Sequence, residues 1–220
     1  LVKNQFNIEK VIKILEIESK NWNVPVVTLI ALQEKDPFKV LLSTIISLRT
    51  KDEVTIVASK KLFKILTKPK DIYKLKVEQI EKAIYPTGFY KRKAIQLRDI
   101  CERLDKEFAS VVPSDIPTLL SFKGIGRKTA NLILSEGYNI PSVCVDTHVH
   151  RISNRFGYLR TKTPDDTEFA LREHLPKKYW IEYNTLLVSF GQSICRPISP
   201  RCSICPVHQE CKRVEVKTSR

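Results

Sequence analysis

Apolar positions recur along this chain at the spacing of one helix face, and the alternating runs that mark half-buried strands are nearly absent. Ile8, Val11, Ile12 and Leu15 predict a first helix, broken by the stretch from Asn21 to Pro25. From Pro37 the run Phe38 to Leu48 is apolar on almost every side, interrupted by Lys39, Ser43, Thr44 and Ser47, which predicts a buried central helix. Thr50 and Glu53 have the spacing of a capping box for the next helix, with Val54, Val57, Ala58, Leu62 and Ile65 expected on its inner face and Pro69 ending it. Val77, Ile80 and Ile84 mark a shorter helix that stops at Pro86 and Gly88, and Ala94, Leu97, Cys101 and Leu104 mark another, in which Cys101 reads as a small core residue.

The stretch Leu119 to His148 carries more than packing. Ser114 and Asp115 precede a short apolar turn with Pro117 in its first positions, the signature of a capped helix start, and this helix should run to about Phe122. Gly124 and Gly126 bracket Ile125, and a second helix with Ala130, Ile133 and Leu134 on one side follows to about Glu136. The unit is helix, hairpin, helix. Glycines accept positive φ and, lacking Cβ, admit another backbone at close range, so their amides and the following helix N-terminus can receive a phosphate oxygen. A plain αα-turn has the same pattern, but Lys123, Arg127 and Lys128 beside the glycines shift the balance toward phosphate. Beyond it, Pro141 to Val145 reads as an extended apolar link, Asp146 as the cap of a helix through Arg155, Thr163 and Pro164 as another helix start, and Trp180 to Gly191 as the last helix. The pattern predicts an all-α chain.

Charge narrows the partners. The 220 residues carry 38 Lys and Arg against 24 Asp and Glu, a formal net charge of +14. The basic residues are spread through helical patterns rather than collected in a tail, so they should line a folded surface that favours a polyanion. No apolar run is long enough to span a membrane and no signal-peptide pattern is visible, so the expectation is an intracellular protein of the cytoplasm or nucleoid, without membrane association.

Four of the six cysteines, Cys195, Cys202, Cys205 and Cys211, crowd into one short stretch with six, two and five residues between them. Without a sign of secretion, metal binding is the better reading than disulfides. Four thiolates in one loop can surround an iron–sulfur cluster or a zinc ion, and spacing alone does not choose between them. Pro197, Pro200 and Pro206 should stiffen the loop, and Arg196 and Arg201 keep it basic.

Taken together, the hairpin with Gly124, Gly126 and Lys128, the segment Val145 to His148 and the four-cysteine loop resemble the endonuclease III family of DNA glycosylases. The resemblance implies a bilobal, all-α helix-hairpin-helix fold, with a six-helix bundle lobe at about residues 30–140 and a discontinuous lobe formed by residues 1–29 and 141–220 that holds a [4Fe–4S] cluster on the four cysteines. It implies a monomer acting on double-stranded damaged DNA, with oxidised pyrimidines as the expected substrate, that excises the base and then cleaves 3′ to the abasic site. Lys128 matches the nucleophile that forms a Schiff base, and Asp146 the carboxylate that assists proton transfer or stabilises positive charge on the sugar. The target nucleotide must leave the stack for Lys128 to reach it. Arg49 and Phe89 match the two positions whose side chains enter the gap, with Arg49 departing from the usual glutamine and Leu120 from a glutamate of some relatives. His148 and Ser47 match positions near the pocket or the DNA, Arg196 and Arg201 would meet the DNA backbone, and Lys91, Arg92 and Lys93 would add to the basic field. Mismatch-specific glycosylases, a non-catalytic helix-hairpin-helix binder and an iron–sulfur electron carrier are the competing readings.

Overall fold

The structure, a computed structural model, describes residues 6–220; residues 1–5 of the expected discontinuous lobe lie outside the described residues. Its helices are α1 (Ile8–Ser19), α2 (Val26–Glu34), α3 (Pro37–Ser47), α4 (Asp52–Phe63), α5 (Val77–Ile84), α6 (Tyr90–Phe108), α7 (Ile116–Leu120), α8 (Arg127–Leu132), α9 (Thr147–Phe156), α10 (Pro164–His174) and α11 (Glu182–Ser193). Short 3-10 turns lie between some of them, a π turn (Ile133–Gly137) continues α8, and no strand occurs among the described residues. No helix among them is long and apolar enough to cross a membrane.

The chain divides into two compact units, one of residues 26–142 and one of residues 1–25 with 143–220. In the first unit α3 is the hub, packed by α2, α4, α6, α8 and the π turn. Asp36 starts it by accepting from the Phe38 amide at 2.9 Å, and Pro37 sits at the first helical position, where no N–H is needed. Its interior position explains the absence of a polar face: Val40, Leu41, Leu42, Ile45 and Ile46 are all buried, and Ser43 and Thr44 return their hydroxyls to the Val40 carbonyl at 3.0 and 2.7 Å. Each such leucine or isoleucine contributes about 1.5–3 kcal/mol by leaving water, so truncating Leu42 to Ala should cost about 2–5 kcal/mol.

Two sequence expectations fail at α4. The helix begins at Asp52 with Lys51 as its cap and no side-chain cap bond, so Thr50 and Glu53 form no capping box. Thr50 is engaged elsewhere, accepting from the Gly88 amide at 3.1 Å and from Lys93 Nζ at 3.0 Å. The inner face is also rotated from the expected one. Thr55, Ala58, Ser59, Leu62 and Phe63 are buried, whereas Val57 and Ile65 are exposed. The buried face of α4 is thus partly made of the small Thr55, Ala58 and Ser59, and Thr55 hides its hydroxyl on the Lys51 carbonyl at 3.0 Å.

The second unit is built on α1, α9 and α11, with α10 packed on α9. Val11, Ile12, Leu15, Val149, Ile152, Phe156, Leu187 and Phe190 form its apolar centre, and Cys195, Cys205 and Cys211 pack against that centre from the C-terminal loop. Buried Tyr183 is satisfied by Ser153 Oγ at 3.0 Å.

Candidate functional site

Within the unit of residues 26–142, the hairpin is anchored by its apolar residues and open at its glycines. Asp115 caps α7 by accepting from the Thr118 amide at 2.9 Å. Leu119, Phe122 and Ile125 are buried, and Arg103 of α6 holds the turn from outside, donating to the Ser121 carbonyl at 2.7 Å with its guanidinium 4.3 Å from the Phe122 ring centre. The two glycines differ. Gly124 has φ +80°, a conformation that a side chain resists. Gly126, the cap of α8, has φ −99°, and a Cβ there would meet nothing within 4 Å. Nothing inside the chain demands a glycine at Gly126. Arg127 and Lys128 occupy the first two positions of α8, both half-buried.

In the same unit Arg49 and Phe89 come together: both are exposed, the Arg49 guanidinium lies 5.5 Å from the Phe89 ring centre, and both have left-handed backbone, φ 53° and 58°. Gly88 makes this approach possible, because a Cβ there would stand 2.5 Å from the Arg49 carbonyl oxygen. Ser47 spends its hydroxyl on the Thr44 carbonyl at 2.8 Å, and Leu120 is half-buried in α7. The basic run at the start of α6 is not uniform. Lys91 and Arg92 are exposed, but Lys93 is only 5 % exposed and lies on the apolar stripe with Leu97, Ile100 and Leu104, so it contributes nothing to an outer field.

In the other unit Asp146 caps α9, its Oδ1 accepting from the His148 and Val149 amides at 2.8 and 2.9 Å. Neither bond uses Oδ2. His148 follows in the first turn of α9, its Nδ1 3.1 Å from Arg151 Nη2. The same Arg151 nitrogen donates to the Cys195 carbonyl at 2.9 Å, and Gly191 of α11 leaves room for this pairing, since a Cβ there would lie 3.0 Å from it. One turn on, Arg155 donates to the Arg196 and Pro197 carbonyls at 2.6 Å each and approaches Cys195 Sγ at 3.6 Å. Two arginines four residues apart thus tie α9 to the start of the cysteine loop. Arg196 and Arg201, both half-buried, line one open cavity with Asn21, Trp22, Asn23 and Gln192.

The four loop cysteines are free thiols that line one cavity partly open to solvent. Burial pushes the Cys205 thiol up to about 12 and raises Cys211, and in both cases the other loop cysteines add to the shift. Cys205 and Cys211 are thus held as thiols unless a cationic centre draws off their protons. Donors to sulfur are already present, with the Arg213 amide 3.3 Å from Cys211 Sγ besides Arg155 at Cys195. Among the described residues no three His, Cys, Asp or Glu side chains are gathered for a single metal ion.

Residues 42–177 match the HhH-GPD superfamily base excision DNA repair protein family. The chain is 43% identical over 180 residues to endonuclease III of Thermotoga maritima, covering 82% of this chain and 84% of that one. It also resembles a non-covalent endonuclease III–DNA complex, with TM-score 0.84 and 28% identity over 97% of this chain and 96% of that chain. A trapped endonuclease III–DNA covalent intermediate matches with TM-score 0.76 and 31% identity, covering 81% of this chain and 84% of that one. The chain belongs to the endonuclease III family. As a member of it, the chain is a DNA glycosylase and abasic-site lyase of base excision repair. Membership of the endonuclease III family also points to an iron–sulfur cluster. The ties made by Arg151 and Arg155 have no counterpart in the sequence expectations, and Lys93, expected in the basic field, is buried instead. The signal for Lys93 was its place at the helical spacing of Leu97, Ile100 and Leu104.

Proposed function

We propose that the enzyme acts on oxidised pyrimidines in duplex DNA, with Lys128 as nucleophile and Asp146 as its assisting carboxylate. The observation that carries this reading is Lys128 at the second position of the helix that leaves the glycine hairpin, in a chain similar to an endonuclease III trapped covalently on DNA. The Lys128 amine attacks C1′ of the flipped nucleotide and the base departs with the bond pair. The amine passes a proton to the departing base, the C1′–O4′ bond then opens with O4′ taking a proton, and the iminium so formed acidifies the C2′ proton, whose loss expels the 3′ phosphate by β-elimination. Asp146 keeps Oδ1 on the α9 amides and uses Oδ2 to take and return protons or to face the positive sugar.

The hairpin is the phosphate clamp. The open space outside Gly126 supports this role, because it leaves room for a DNA backbone where a side chain would stand. Arg127, Arg196 and Arg201 add charge along the DNA, His148 lies close to the reacting nucleotide, and Arg49 and Phe89 fill the gap left by the flipped base. The unit of residues 26–142 is the helical bundle lobe and the other unit the cluster lobe. Cys195, Cys202, Cys205 and Cys211 hold a [4Fe–4S] cluster, which suits four thiols that line one cavity. Bound there, it supplies iron–thiolate bonds that fix the loop.

The substrate half of this reading is tested with duplexes carrying single lesions. Single-turnover excision should be fastest on oxidised pyrimidines, whereas preferential excision of undamaged bases from mismatches would overturn it.

A further inference from the structure

Arg49 and Phe89 share an unusual backbone state, since each is a non-glycine residue in the left-handed region, a strained conformation that persists only where its surroundings impose it. One residue reaches the surroundings of both. Lys93 Nζ donates to the carbonyls of Ile46 and Leu48 at 2.6 and 2.7 Å and to Thr50 Oγ1 at 3.0 Å. Leu48 and Thr50 are the neighbours of Arg49 on either side. The Lys93 backbone amide donates to the Phe89 carbonyl at 3.0 Å, and the Gly88 amide, next to Phe89, donates to the same Thr50 hydroxyl at 3.1 Å. The ammonium also meets the last carbonyls of α3, where a cation suits the negative end of the helix.

From this geometry we infer that Lys93 is a positioning residue for strand insertion: its buried ammonium and backbone amide lock the Arg49 and Phe89 turns into one double wedge. The inference rests on the reading above that these two side chains enter the DNA stack. Lys93 touches neither DNA nor the reacting atoms. It acts by fixing the 5.5 Å pairing of the Arg49 guanidinium with the Phe89 ring, so that both side chains reach the gap together at no ordering cost during flipping.

The role separates flipping from chemistry, and this makes it testable. Lys93→Met keeps an unbranched apolar stem of four heavy atoms and the backbone amide but loses all three ammonium bonds. Thr50→Val removes the shared acceptor alone and serves if Lys93→Met does not fold. Three readouts are needed: single-turnover excision from a lesion duplex, fluorescence of 2-aminopurine placed opposite the lesion, and borohydride trapping on a single-stranded abasic oligonucleotide, which needs no flipping. For the folded variant, duplex excision and the fluorescence change should each fall at least about tenfold, while single-strand trapping stays within about twofold of the parent. Unchanged duplex excision and fluorescence would overturn the inference, as would an equal loss on the single strand, which would make Lys93 a general support of the fold. Arg49→Ala and Phe89→Ala run alongside. If these leave the duplex signals intact, it is the insertion reading that fails; if they abolish the signals and the Lys93 and Thr50 variants do not, only the positioning role fails.

Discussion

Arg151 donates from Nη2 to the carbonyl of Cys195 at 2.9 Å, so α9, capped by Asp146, is bonded from the start of its second turn to the first residue of the cysteine loop. A charged donor in such a half-buried place contributes about 1.5–3 kcal/mol when its partners have no substitute. Arg151→Met should therefore slow single-turnover excision by roughly tenfold through misplacement of the α9 first turn, with iron content near that of the parent. Full activity in a folded Arg151→Met enzyme would show that the bond does not position Asp146.

Gly126 gives a prediction with opposite outcomes for folding and binding. Its backbone is accessible to any residue and a Cβ meets no atom within 4 Å, so Gly126→Val should melt within a few degrees of the parent. DNA affinity, measured by anisotropy on damaged and undamaged duplexes alike, should fall at least about tenfold, because the side chain would stand where the backbone must approach. If only lesion preference changed and affinity for plain duplex stayed, the hairpin would not be a phosphate clamp.

How far the sequence spoke is clear from particular residues. Periodicity found α1, α3, α5 and α6 because their inner faces are continuous apolar stripes. The α9 cap was legible because Asp146 precedes the helical pattern directly. Thr50 misled, since a threonine three residues before a glutamate suits a capping box, and only the fold reveals that Gly88 and Lys93 claim its hydroxyl. The inner face of α4 was hidden because Thr55, Ala58 and Ser59, not its valines, are among the residues it buries. Lys93 was read with its basic neighbours, although its helical position already set it among core residues. The pairing of Arg49 with Phe89 depends on residues forty positions apart and left no local trace beyond Gly88.

The cysteine loop separates metal loading from DNA contact. The purified protein should be brown with about four irons per chain. Cys202→Ala should lose iron and destabilise the unit containing α9 and α11, whereas Arg201→Ala with Arg196→Ala should keep the iron and weaken DNA binding. Stoichiometric zinc after anaerobic purification would contradict the cluster, and unchanged affinity in the double arginine variant would remove the loop from the DNA contact.

Lys93 carries a pH signature of its own. Burial brings its ammonium down from 10.5 to about 8, so between these values the unfolded chain holds a proton that the folded chain has released. Stability from this group therefore rises with pH across that window, is fully present above 10.5, and is lost as pH falls through about 8. Urea unfolding from pH 7 to about 10 should give a stability difference between the parent and Lys93→Met that moves in favour of the parent as pH rises. A difference that is flat with pH would mean that Lys93 titrates as an exposed lysine.

The central claim is the covalent role of Lys128, and borohydride trapping tests it most directly. The parent enzyme, mixed with a duplex bearing an abasic site and reduced, should give one protein–DNA adduct whose peptide map carries the sugar on Lys128. Lys128→Ala should bind the same duplex with similar affinity, form no adduct and leave the strand uncut. An undiminished adduct, or full strand cleavage, in the Lys128→Ala enzyme would contradict the account.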